Sequence, residues 1–118
     1  MKPIVVVVGP PGAGKTTVAQ LLGERLGVTV RDTDQDVEAD QGETVQEIFV
    51  SRGESVFREL EAAAVAKAVT EHDGVLALGG GAVLDDGTQA LLVDQTVLHL
   101  DVGLAQAAAR VGMNSGRP

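Results

Sequence analysis

Residues 4–16 read IVVVVGPPGAGKT, and the fold is decided there. Ile4 to Val8 is β-branched and continuously apolar, the pattern of a strand covered on both faces in a parallel sheet. It stops at Gly9, Pro10 and Pro11, a turn composition. Gly9 to Thr16 satisfies G-x-x-x-x-G-K-[ST], and apolar residues recur after it at helical spacing. Strand, glycine-rich loop and helix are the setting in which this pattern binds phosphate. Backbone N–H groups freed of side chains converge on the anion, aided by the positive end of the helix. Lys15 is then expected to reach the β- and γ-phosphates, and the Thr16 hydroxyl to ligate Mg²⁺. The chain is read as binding a nucleoside triphosphate with magnesium.

Working outward, Val18, Leu21, Leu22 and Leu26 give a one-sided helix that Gly27 ends. Strands are predicted at Val28 to Asp32, Gly74 to Leu78 and Thr96 to Leu100. Thr44 and Glu47 fit a capping box opening a short helix that presents Val45, Ile48 and Phe49. A longer helix is predicted from about Glu54 to Glu71, with Phe57, Leu60, Ala64 and Ala68 on one side. Short helices follow at Thr88 to Leu92 and Leu104 to Val111. Strands alternating with helices imply an α/β fold with a parallel sheet covered on both faces. No repeat or linker divides residues 1–118, which are read as one domain. The closing GMNSGRP (112–118) has a loop composition and reads as a truncation.

Composition narrows the function. A net charge of −8 argues against nucleic acid as partner, since phosphate backbones attract basic faces. Without cysteine there is neither a disulfide nor a Cys-ligated zinc site. His72 and His99 lie far apart in sequence and are read as structural. The apolar run at the N-terminus is too short for a signal peptide, and no stretch approaches membrane-spanning length. A soluble cytoplasmic protein with an aliphatic core is expected, for the chain has two Phe and no Trp or Tyr.

Three further stretches bear on the phosphoryl acceptor. The second strand runs into DTD (32–34); in extended chain Asp32 and Asp34 point to one side, towards the cleft at the strand ends. One carboxylate there can organise magnesium through water and the other can accept a proton from an acceptor hydroxyl. The alternative is an Asp that caps a helix following the strand. In FRELE (57–61), Arg58 either joins an ion-pair ladder with Glu54 and Glu61 or clamps a substrate carboxylate while Glu61 orients it. LALGGGAV (76–83) sets Gly79, Gly80 and Gly81 directly after a strand, where backbone N–H groups can meet an oxyanion or hydroxyl.

Together DTD, FRELE and LGGGAV, in this order behind the phosphate loop, make the chain resemble the shikimate kinase family. The resemblance runs from the first strand to the loop at Arg117. It implies a three-layer α/β/α fold of strand order 2-3-1-4-5, with the fifth strand absent from this chain and 112–118 starting the lid loop. It implies transfer of the ATP γ-phosphoryl group to the 3-hydroxyl of shikimate, with Mg²⁺, by a monomer. Gly12, Ala13, Gly14, Lys15, Thr16 and Thr17 would hold the triphosphate, with Thr16 and Asp32 at the metal. Asp34 would be the hydroxyl partner and base, Arg58 the shikimate carboxylate clamp, and Gly79 to Gly81 the wall of the acceptor site. Arg110 would lie against adenine, and Arg117 would reach the phosphates from the lid. A gluconate-type sugar-acid kinase and a nucleotide-binding fragment without catalysis are the alternative readings.

Overall fold

A computed structural model of the chain describes residues 2–10 and 13–100. Four short strands, β1 (Val5–Val8), β2 (Val30–Asp32), β3 (Val75–Ala77) and β4 (Val97–His99), form one sheet in the order β2-β3-β1-β4. Every pairing is parallel: Val6 faces Leu76 on one side and Val97 on the other, and Asp32 faces Ala77. The order matches the first four strands of the expected topology.

The helices cover both faces. Alternate residues of β1 divide the core, because successive side chains on a strand point to opposite faces. Val7 packs with Val75, Ala77 and Ala19 beneath α1 (Lys15–Leu26). Val6 and Val8 pack with Leu76 and Leu78 against Val65, Ala68 and Val69 of α4 (Glu54–Glu71). Each of these fully buried valines contributes about 1.5–2 kcal/mol relative to exposure. Next come a 3₁₀ turn at Ala82–Leu84 and α5 (Asp86–Leu92), from which Ala82, Val83 and Leu92 join the α4 side. A separate cluster of Val37, Ile48 and Phe57 holds α2 (Thr33–Gln41) and α3 (Val45–Arg52) on α4, beyond the sheet.

The expected elements within the described residues are present, several of them shorter than predicted. The helix predicted at 104–111 lies outside the described residues. The capping box is formed as read: Thr44 Oγ1 accepts the Glu47 N–H at 3.1 Å, and Glu47 Oε1 accepts the Thr44 N–H at 2.8 Å. His72 ends α4, and its Nε2–H donates to the carbonyls of Thr29 (3.2 Å) and Val75 (3.0 Å), the structural role expected of it. The element missing from the predicted set is α2. TDQDVEADQ buries only Thr33 and Val37, so it carries no apolar stripe to announce a helix.

No helix among the described residues is long and apolar enough to cross a membrane.

Candidate active site

The phosphate loop leaves β1 at Gly9, where a Cβ would sit 2.6 Å from the Leu100 carbonyl oxygen. Only glycine lets the chain pass there. The loop returns at Gly14, left-handed at φ 88° and ψ 24°, and α1 starts at Lys15. Among the described α-helices, α1 alone has neither a side-chain cap nor an acidic residue in its first turn. Asp32, Thr44 and Asp85 cap α2, α3 and α5, and α4 opens with Glu54. The amides of the first turn of α1 are thus left for an anion, and the dipole favours one. Ala13 is buried, Gly14, Thr16 and Thr17 are exposed, and the Lys15 ammonium donates to the Pro10 carbonyl at 3.2 Å. Gly12 lies outside the described residues.

Asp32 is the last residue of β2 and the N-cap of α2. Its Oδ1 accepts the Asp34 N–H at 2.8 Å and the Gln35 N–H at 3.4 Å. This corrects the extended-chain argument for the aspartate pair. The strand ends at Asp32, and Asp34 stands in the first helical turn, so the two carboxylates do not share a strand face. The capping alternative holds for Asp32 without removing it from the nucleotide side. Both cap bonds use Oδ1, and Asp32 lines with Thr16 a cavity of about 100 Å³ between α1 and the end of β2.

Asp34 is turned inward. Its Oδ1 is buried without a hydrogen-bond partner. Burial chiefly, then the negative charges of Asp32 and Glu61, push its carboxyl up to about 6, while Lys15 pulls the other way. Lys15 is therefore close enough to tie the phosphate loop electrostatically to this carboxylate. A buried oxygen with no partner is costly, and a donor arriving with a ligand removes that cost.

Arg58, on α4, is gripped from several sides. Its Nη1 donates to Glu61 Oε1 at 2.8 Å, and its Nη2 lies 3.5 Å from Glu54 Oε2. Its guanidinium carbon stands 5.5 Å from the centre of the Phe57 ring and 5.9 Å from that of Phe49. Glu61 is 3% exposed, and burial raises its pKa against the opposing pull of Arg58. The ion-pair ladder is formed: Glu54 makes the exposed, weak contact, and Glu61 the buried one that fixes the fork.

The glycine run closes the site. None of Gly79, Gly80 and Gly81 has positive φ, so left-handed backbone is not the reason for them. A Cβ on Gly79 would collide with Asp34 Oδ1 and lie 2.7 Å from Glu61 Oε2. On Gly81 it would collide with the Arg58 guanidinium. The glycines leave room for three charged side chains. The reading of Gly79 as a free N–H donor is also corrected, because its N–H donates to Thr33 Oγ1 at 3.2 Å.

Asp34, Arg58, Glu61 and the glycine run thus form one cluster beside Lys15. Thr33 and Phe49 are the members that sequence reasoning missed. Phe49 was legible only as core, and Thr33 only as the spacer between two aspartates. Arg110, Arg117 and residues 112–118 lie outside the described residues.

A family model described as shikimate kinase matches residues 11–118. The chain belongs to the shikimate kinase family. Kinases of this family take their phosphoryl group from ATP. The shikimate kinase of Saccharopolyspora erythraea is 59% identical over 118 residues, all of this chain and 67% of its own length. That of Salinispora arenicola is 57% identical over the same span, covering 71% of its length. Among solved structures, a shikimate kinase from Acinetobacter baumannii in complex with shikimate superposes with a TM-score of 0.80 at 34% identity. The match covers 91% of this chain and 61% of that one, so the chain spans less than two thirds of that enzyme. A shikimate kinase from Bacteroides thetaiotaomicron gives 0.75 at 30% identity, over 80% of this chain and 55% of that one. The α/β/α fold with its parallel sheet is therefore that of the shikimate kinases. The family match is to a kinase of shikimate, not to a sugar-acid kinase or a binding module.

Proposed function

We propose that this protein transfers the γ-phosphoryl group of ATP to the 3-hydroxyl of shikimate. The observation that carries the reading is the unpartnered, buried Oδ1 of Asp34, whose carboxylate feels the charges of Lys15 and of Glu61, itself paired with Arg58. An acceptor with a carboxylate at one end and a hydroxyl at the other suits that combination of a cation and an unpartnered carboxylate oxygen. The Arg58 fork takes the carboxylate in paired hydrogen bonds, with Glu61 and the two phenylalanines holding its plane. Asp34 accepts the hydroxyl hydrogen bond. Gly79 leaves space for the two carboxylates, and Gly80 and Gly81 line the remaining wall.

The transfer is an in-line displacement. The acceptor oxygen bonds to the γ-phosphorus, the bond from that phosphorus to the ADP oxygen breaks, and the hydroxyl proton passes to the Asp34 carboxylate. At about 6, that carboxyl is mostly ionised at neutral pH yet basic enough to take a proton. A loose transition state asks little of a base, so positioning supplies most of the rate. The uncapped first turn of α1, with Gly12, Ala13, Gly14, Lys15 and Thr17, receives the phosphates.

Magnesium fits the residues present. It keeps several waters and few protein ligands, and Thr16 and Asp32 line one small cavity. When bound, it neutralises charge on the β- and γ-phosphates. Among the described residues no cluster of three His or carboxylate side chains forms a fuller metal site. Arg110 at adenine and Arg117 on the phosphates are carried over from the family likeness. We read the protein as a cytoplasmic monomer that engages neither nucleic acid nor a membrane.

The test is ADP release from ATP by the full-length protein, with shikimate, with gluconate and with no acceptor. Release that depends on shikimate supports the reading. Release without it, or faster with gluconate, contradicts it.

A further inference from the structure

The parallel ladder between β2 and β3 ends at Asp32 and Ala77, because the chain turns into α2 at Thr33. Beyond that rung the β3 side still has amides to satisfy. Leu78 donates its N–H across to the Val7 carbonyl of β1 at 3.0 Å. Gly79, one residue on, points its N–H the other way, towards β2, where no strand continues. Its partner is the hydroxyl of Thr33, at 3.2 Å. Thr33 is 0% exposed and Gly79 is buried, so water does not compete for this bond. A side chain here replaces a missing rung of the sheet.

This bond connects the two walls of the acceptor site. Thr33 is covalently next to Asp34, whose N–H is already fixed by Asp32 Oδ1 at 2.8 Å. Gly79 is the residue against which Asp34 Oδ1 and Glu61 Oε2 both pack. We propose that Thr33 is a positioning residue for phosphoryl transfer: its hydroxyl, by holding the Gly79 N–H, sets the glycine run against Asp34 and fixes the width of the acceptor site. It touches no substrate itself, and it acts on the acceptor rather than on the nucleotide. The inference rests on the shikimate reading given above.

The test compares wild type, Thr33→Ser and Thr33→Val, each assayed below its own melting temperature. Valine keeps the shape and loses the acceptor, which leaves a buried N–H unpaired. With valine, KM for shikimate is expected to rise, or kcat to fall, by about tenfold, while KM for ATP stays within about twofold. Serine, which keeps the hydroxyl, restores both. Thr33→Ala replaces the valine variant if that one does not fold. Amide exchange at Gly79 reads the bond without any substrate, and it is expected to be slow in wild type and Thr33→Ser and faster in Thr33→Val. Rapid exchange at Gly79 in wild type, serine as impaired as valine, or KM for ATP moving in step with that for shikimate would overturn the proposal. A protected Gly79 amide that opens only in Thr33→Val supports the tie even in a protein that ignores shikimate, and then it is the acceptor assignment that fails.

Discussion

At Asp34 stability and the proposed role pull in opposite directions. Its carboxyl sits at about 6 in the fold, against about 4 in an unfolded chain, so the folded protein binds the proton more tightly. The contribution of this group to stability therefore falls as pH rises from about 4 to about 6, and the ionised form works against the fold above that. Asp34→Asn removes the buried charge and should raise the melting temperature at pH 7 while lowering kcat by about a hundredfold. Calorimetry and initial rates on one preparation check both signs. In wild type, kcat/KM for shikimate should fall about tenfold per pH unit below the Asp34 titration at about 6, and the Asn variant should lose that limb. Arg58 offers a different signature. Arg58→Ala should raise KM for shikimate by about 10- to 100-fold with KM for ATP little changed, since a charge-assisted fork is lost and the nucleotide does not use it. Arg58→Lys should recover only part, because an ammonium cannot present two parallel donors. Steady-state kinetics with each substrate varied in turn decides it.

At the scale of elements, two glycines separate space from backbone conformation. Gly27 ends α1 at φ 67° with nothing near its missing Cβ, whereas Gly79 has ordinary φ and no room. Gly27→Ala should lower stability by about 1 kcal/mol and leave kinetics alone. Gly79→Ala must displace two carboxylates and should cut kcat/KM for shikimate by at least about tenfold. Denaturant melts beside the rate measurements test the pair, and equal kinetic effects would refute the spatial reading of the glycine run. The same scale shows what could be read beforehand. β1, α1 and the capping box of α3 were legible because each carries a local signal: a β-branched run, a stripe at helical spacing, and Thr44 with Glu47 three residues on. The helix α2 was not, since it buries only Thr33 and Val37 and its other ties, such as Arg31 to Asp36 and the Val45 N–H to Glu38, are polar contacts across elements. Without it the two aspartates were placed on one strand, whereas Asp32 ends β2 and Asp34 stands in the first turn of α2.

Across the whole molecule, the phosphate loop, Asp34 and the glycine run meet because a parallel sheet brings all strand ends to one edge, where helices begin and leave their N–H groups. Sequence order was enough to predict that meeting. It did not reveal that Gly79 spends its N–H on Thr33, or that Phe49 supports Arg58 from a neighbouring helix, for these contacts cross elements and leave no periodic trace. The cluster that results is specific in charge. A buried ion pair of Arg58 and Glu61, a carboxylate oxygen of Asp34 without a partner and an uncapped helix α1 are the features on which the proposed function rests. The proposed reaction moves phosphate from ATP to a single hydroxyl of shikimate. Phosphorus–proton correlation spectroscopy on the product formed by the full-length protein reports which hydroxyl receives it. The phosphorus should couple to the proton on the carbon that bears the 3-hydroxyl and to no other ring proton. Coupling at a different carbon, or the absence of any phosphorylated shikimate while ATP is consumed, would rule out transfer to the 3-hydroxyl.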